Sequence, residues 1–282
     1  MVQKVRVVTD STADLSESIR KQWGIEMIPL NVHFGDEVYK DQVDLPPEEF
    51  YKKLRTTKIL PRTSQPSPGE FMTLYQKVSQ EAETIVSIHL SSKFSGTYQS
   101  AKVAAASLPE LDIVVIDGES ASVGTAVQVL AAAEVAKAGG SKEEVLEATS
   151  AAKAKEGVYF VVDTLEYLQR NGRIGKAQAF LGTMLNVKPL LMVEDGIVCP
   201  VERIRGKKRA TNRILEIMEA DLKSRQEAGE SWQRLMVAVS HGDSLEEAHE
   251  VAEEIKRRFE KVEIIIEYIG PVIGTHVGPG TL

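Results

Sequence analysis

The sequence is nearly without cysteine: Cys199 stands alone among 282 residues. A single thiol excludes an internal disulfide and any zinc site built on cysteine pairs, and it suits a reducing compartment. Aromatic residues are also sparse, at 6%. None interleaves the basic stretches described below, which argues against a groove that stacks nucleic-acid bases. Net positive charge is missing as well. Lys and Arg number 34 against 41 Asp and Glu, a formal charge of −7, so a dedicated nucleic-acid binder is not expected. No apolar run is long. The longest uncharged stretch, near residues 120–133, falls short of the roughly 20 apolar residues that span a bilayer. Met1-Val2-Gln3-Lys4-Val5-Arg6 has no apolar core of the kind found in a secretion signal. A cytoplasmic protein with no integral membrane segment is expected. Walker A, GxGxxG after the first strand, HExxH and GxSxG are all absent, and no His/Asp/Glu cluster suggests a metal. A standard catalytic kit, a metal and a resident cofactor are therefore not expected.

What is present is a globular composition, 43% apolar and 27% charged. Residues 4–9 are rich in β-branched side chains and read as the first strand. Further strands are expected at 26–32, 84–90 and 112–117, with helices between them. Alternating strands and helices predict an α/β fold with a mostly parallel sheet. Residues 37–40 read as a short edge strand, and residues 60–70, with three prolines and a glycine, read as a loop. Residues 121–138 form a helix with little polar face, expected to be buried on most sides. Gly157 marks a boundary between an N-terminal domain, 1–156, and a C-terminal domain, 157–282. Beyond it, Glu194-Asp195-Gly196 separates two apolar runs and predicts a hairpin, an antiparallel pattern not expected in the first half. The tail from 270 to 282 reads as a glycine- and proline-rich segment around His276.

The most suggestive stretch is Ser91-Ser92-Lys93-Phe94-Ser95-Gly96-Thr97, a hydroxyl-rich turn between a strand and a helix. A helix start offers free N–H groups and partial positive charge, and Gly96 permits close approach of an anion. Ser95 acting only as an N-cap is the plainer alternative. Thr63 and Ser64 sit in the proline-stiffened loop, where hydroxyls either aim at a ligand or serve the turn. His276 is flanked by glycines in the tail and reads as either structural or functional. Three cations surround Arg170-Asn171-Gly172-Arg173-Ile174-Gly175-Lys176. Six more, Arg203, Arg205, Lys207, Lys208, Arg209 and Arg213, lie between Glu202 and Glu216 with no acid among them. Several stand at a helix start, where a cation is unfavourable by about 0.3–1 kcal/mol. Such a patch suits carboxylate or phosphate, unless it is only a solvated face.

Taken in order, Thr9-Asp10-Ser11-Thr12-Ala13-Asp14-Leu15, Thr63-Ser64-Gln65-Pro66, Ser95-Gly96-Thr97-Tyr98-Gln99-Ser100-Ala101, Arg170-Asn171-Gly172-Arg173-Ile174 and Gly274-Thr275-His276 resemble the motifs of the DegV family, across essentially the whole chain. The resemblance implies a two-domain α/β fold, with a mixed sheet in the C-terminal domain and one long-chain fatty acid, such as palmitate or oleate, held between the domains. It implies no catalysis by the chain alone. A separate ATP-dependent fatty acid kinase subunit would phosphorylate the presented carboxylate to an acyl-phosphate, which feeds lipid metabolism. Carried over by motif, Thr63 and Ser95 hold the carboxylate with the Gly96 N–H nearby, and His276 closes the polar end. Arg170 and Arg205 engage the kinase or its phosphates, with Arg203 a rival for the second place. The buried 121–138 helix and the 158–162 strand are expected to line the acyl slot. Two other readings stay open: a self-contained acyl- or phosphoryl-transfer enzyme with His276 as base, and a sensor of short carboxylates.

Overall fold

The computed structural model describes residues 3–182, 187–230 and 235–282. The chain runs β1 (Gln3–Asp10), α1 (Glu17–Trp23), β2 (Ile25–Ile28), β3 (Asn31–Phe34), β4 (Glu37–Lys40), α2 (Pro47–Thr56), β5 (Arg62–Ser64), α3 (Pro68–Val78), β6 (Ala82–His89), α4 (Thr97–Ala106), β7 (Asp112–Asp117), α5 (Val123–Lys137) and α6 (Lys142–Lys155). It continues through β8 (Val158–Val161), α7 (Glu166–Arg170), β9 (Val187–Glu194), β10 (Ile197–Arg205), α8 (Lys207–Glu227), β11 (Leu235–His241), α9 (Leu245–Arg258), β12 (Val262–Tyr268) and α10 (Pro271–Val277).

β2, β1, β6 and β7 form a parallel sheet in that order. Alternation along β1 divides its side chains between two cores. Val5 and Val7 pack with α5, while Val8 packs with Phe71 and Tyr75 of α3 and Ala101 of α4. Helices thus cover both faces, as a parallel sheet requires. β10, β9 and β8 form an antiparallel sheet, and β11 and β12 a parallel pair. The β9–β10 hairpin turns at Asp195 and Gly196, both at positive φ, as its tight turn demands. Met236 of β11 and Ile265 of β12 pack against the core that contains α5.

Three expectations are corrected. The first half does contain antiparallel pairing, because β3 pairs with β4 on one side and β5 on the other. Arg62–Ser64 is a strand, not a loop: the prolines at 61 and 66 lie outside the paired residues and leave their N–H groups available. His276 stands on a helix, because Pro271 occupies the first turn of α10, where it is tolerated, and the nearby glycines do not break it.

Candidate functional site

A cavity of about 880 Å³ runs between α5, α8 and the edges of the sheets. On α5 it touches Val123, Gly124, Val127, Ala131 and Glu134, a stripe at helical spacing. At about 1.5 Å per residue that stripe is roughly 16 Å long. Ile214, Met218 and Leu222 of α8 supply another apolar wall, and Val158 and Phe160 of β8 a third. The helix and strand expected to line a slot therefore do line a cavity. Asp221 and Arg225, also on its wall, pair at 2.8 Å toward the C-terminal end of α8.

Polar side chains reach the cavity wall from three distant parts of the chain. Thr63 arrives on β5, Ser95 in the turn before α4, and His276 on α10; all three line the cavity. Thr63 Oγ1 and His276 Nε2 are 2.9 Å apart. The imidazole is pushed down to about 3 by burial and by the Arg173 guanidinium, so it is neutral at physiological pH. Its Nδ1 is buried and has no hydrogen-bond partner among the described residues. Ser95 Oγ lies 2.9 Å from Thr97 Oγ1 and accepts from the Thr97 N–H at 3.3 Å. Ser95 thus serves the helix start and faces the cavity at once. Gly96, at the N-cap of α4, is exposed and off the cavity wall, and Gln65 lies against it: a Cβ at 96 would stand 3.0 Å from Gln65 Nε2.

Arg170 and Arg205 do not line the cavity. Arg170 is exposed and pairs with Glu166 at 2.7 Å; Arg205 is exposed at the end of β10, with no side-chain ion pair among the described residues. The surrounding cations are partly neutralised. Lys207 pairs with Glu247, Arg213 with Glu202 and Glu216, and Arg203 donates to the Ala179 carbonyl and lies over the Phe180 ring.

The sequence reading gave no role to Arg173, which reaches the cavity wall. Its Nε donates to the Phe94 carbonyl at 3.1 Å and its Nη1 to the Asn171 carbonyl at 2.7 Å. Asn171 Nδ2 donates in turn to the Thr275 carbonyl at 2.9 Å, tying α7 to α10 beside His276. Gln65, on the same wall, also went unassigned. Both lay inside the quoted motifs, so motif membership was the available signal.

Buried carboxylates hold these parts of the wall in place. Asp10 accepts from the N–H and hydroxyl of Thr12, from the Leu90 N–H at 3.1 Å and from His89 Nδ1 at 2.9 Å. His89 Nε2 lies 2.7 Å from Ser87 Oγ, to which Tyr75 OH donates at 2.9 Å. This chain fixes the end of β6, from which the Ser95 turn departs. Asp14 accepts from Ser122 Oγ at 2.6 Å and from the Gly270 N–H at 2.9 Å, joining the start of α5 to the start of α10. Burial raises its carboxyl well above the usual range and raises Asp41 to about 7. Ser122 holds φ 51° and ψ −129°, a conformation that strains a side-chain-bearing residue, and it too lines the cavity. Among the described residues no group of three His, Cys, Asp or Glu side chains is placed to hold a metal, and no helix is long and apolar enough to cross a membrane.

The family model described as "Uncharacterised protein, DegV family" matches residues 4–282. Protein DegV of Bacillus subtilis is 38% identical over 279 residues, 99% of this chain and 97% of that protein. A DegV family protein from Thermus thermophilus, described for its fatty acid binding, superimposes with a TM-score of 0.90 at 36% identity, covering 99% of this chain and 97% of its own. A stearic-acid-binding protein from Eubacterium ventriosum superimposes with a TM-score of 0.87 at 27% identity, covering 100% and 96%.

Proposed function

The chain belongs to the DegV family, and from that premise we propose that it binds one long-chain fatty acid, such as palmitate or oleate, with its carboxylate at Thr63, Ser95 and His276 on the cavity wall. The observation that carries this reading is the Thr63–His276 pair, a hydroxyl against a neutral imidazole, on the wall of a mainly apolar cavity that Ser95 also lines. A fatty acid has the matching form, one anionic head and an apolar tail. With about 0.8 kcal/mol per buried CH₂, the tail supplies most of the affinity. The hydroxyls supply short, charge-assisted hydrogen bonds to the head. His276 holds Thr63 Oγ1 in line, and Arg173 provides positive charge nearby. The acid would sit between an N-terminal unit, 1–156, and a C-terminal unit, 157–282.

The finer part of the proposal is that the bound carboxylate is presented to a separate ATP-dependent kinase subunit and leaves as an acyl-phosphate for lipid metabolism. On this reading the chain has no catalysis of its own, needs no cofactor or metal, and works in the cytoplasm, where the kinase finds ATP. The exposure of Arg170 and Arg205 supports their engaging that partner or its phosphates. A self-contained transferase with His276 as base fits poorly. A base works best with a pKa near the operating pH, and burial takes His276 to about 3. Titration of palmitate and short carboxylates into the protein tests the binding claim. Affinity that rises steeply with chain length supports it; equal affinity for acetate and palmitate would replace it with a small-carboxylate sensor.

A further inference from the structure

The turn that carries Ser95 follows β6 in the N-terminal half of the chain, yet the C-terminal half grips it. Ser91, at its start, is fully buried and has all its polar groups in use. Its N–H donates to the Ser120 carbonyl at 2.8 Å, and its carbonyl accepts from the Phe94 and Ser95 N–H groups at 3.0 and 3.2 Å. Its Oγ accepts from the Lys93 N–H at 3.1 Å and donates to the Gly196 carbonyl at 2.8 Å. Gly196 stands in the turn of the β9–β10 hairpin, 105 positions along the chain. Lys93 Nζ donates to the carbonyl of Asp195 in the same turn at 2.6 Å. Arg173 Nε holds the Phe94 carbonyl at 3.1 Å. Three ties from the C-terminal half thus meet on Ser91, Lys93 and Phe94, directly before Ser95.

The hairpin tip is seated on Ser91 without room for a side chain. A Cβ at 196 would stand 2.4 Å from Ser91 Oγ and 3.4 Å from Glu119 Cα. The turn's conformation accounts for the positive φ of Gly196, and the seating accounts for the missing space. A hydrogen bond to a carboxylate weakens steeply as its geometry is lost, so a binding hydroxyl depends on what holds it. Ser95 Oγ has only Thr97 as a partner of its own, and the Ser91 carbonyl holds its backbone.

We propose that Ser91 and Gly196 are positioning residues for the carboxylate: the hairpin tip, acting through the Ser91 hydroxyl, sets where Ser95 stands on the cavity wall, so that recognition of the acid's head depends on both halves of the chain. This deepens the fatty-acid reading above and rests on it.

The test is a double-mutant cycle on palmitate affinity, read by calorimetric titration, with thermal melting of every variant. Ser91→Ala and Gly196→Ala approach the contact from its two sides, and each is made alone and together with Ser95→Ala. Each alone should weaken palmitate binding about fivefold or more, the scale of one lost hydrogen bond. In the Ser95→Ala background the same substitutions should change affinity by less than about twofold, because the hydroxyl they position is gone. A merely structural role gives equal losses in both backgrounds, and that result overturns the proposal. Unchanged affinity in Ser91→Ala and Gly196→Ala overturns it as well, and so does unchanged affinity in Ser95→Ala, which would leave nothing to position. Gly139→Ala is the control for backbone strain, since Gly139 holds φ 84° with nothing within 4 Å of an added Cβ. It should leave palmitate affinity unchanged; a loss equal to that of Gly196→Ala would overturn the role of Gly196. Should Ser91→Ala or Gly196→Ala not melt cooperatively, Lys93→Ala removes the tie to Asp195 from an exposed position and goes through the same cycle under the same criterion. Wild-type protein that does not bind palmitate refutes the fatty-acid reading, and this one with it. Wild-type binding with an additive cycle refutes this one alone.

Discussion

At the scale of single residues, the account makes Thr63 and Ser95 the groups that meet a carboxylate. A hydrogen bond to a charged group contributes about 1.5–3 kcal/mol. Thr63→Ala and Ser95→Ala should each weaken palmitate binding about tenfold or more, measured by calorimetric titration, and unchanged affinity in the double variant would contradict the assignment. His276 carries a pH signature. Its imidazole has a pKa of about 3 in the folded chain against an ordinary 6.5. The unfolded chain therefore takes up a proton first as pH falls. The group's contribution to stability is intact above about 6.5 and is lost as pH drops toward about 3, at about 1.4 kcal/mol per pH unit. Asp41 and Glu156, raised to about 7, act oppositely, losing their contribution as pH rises from the usual carboxylate range toward 7. The informative comparison is therefore between variant and parent. From pH 7 to pH 5, urea unfolding should show His276→Gln gaining about 2 kcal/mol on the parent. A gap that stays constant would mean that the ring is not held neutral. The burial of Asp14 and Asp41 was not legible in the sequence, because no local pattern marks which charged residue ends up inside.

At the scale of elements, α10 matters most, since it carries His276 to Thr63. It seats against α2 through Gly274, where a Cβ would stand 2.7 Å from both Phe50 Cε1 and Tyr51 OH. Gly274→Ala should therefore cost about 1–3 kcal/mol by overpacking. It should also weaken fatty-acid binding by shifting the His276–Thr63 pair. Full stability with full affinity, measured by melting and titration, would show that the seating does not position the site. Regular elements were legible where the signals are local. The capping box at Ser141 and Glu144 forms as read, with the Glu144 carboxylate accepting from the Ser141 N–H at 2.7 Å, and the Asp195-Gly196 hairpin forms as read. β5 and α10 were not legible. Both are short, both sit among prolines and glycines, and both are held by contacts with residues far along the chain. In such segments tertiary pairing overrides local turn chemistry.

At the scale of the whole molecule, binding and presentation are separable. Arg205 lies off the cavity, so Arg205→Ala should leave palmitate affinity unchanged within about twofold and reduce acyl-phosphate formation by a partner kinase about tenfold or more, consistent with one lost charge-assisted contact. Loss of lipid affinity instead would put Arg205 in the binding site. The central claim, however, is that a long acyl chain fills the cavity, and one measurement addresses it directly: mass spectrometry of the protein as purified, first native and then denatured. The account predicts a native mass exceeding the chain's by one long-chain fatty acid, and release of that acid on denaturation. A protein that carries no such species, and that also fails to take up added palmitate or oleate, would contradict it.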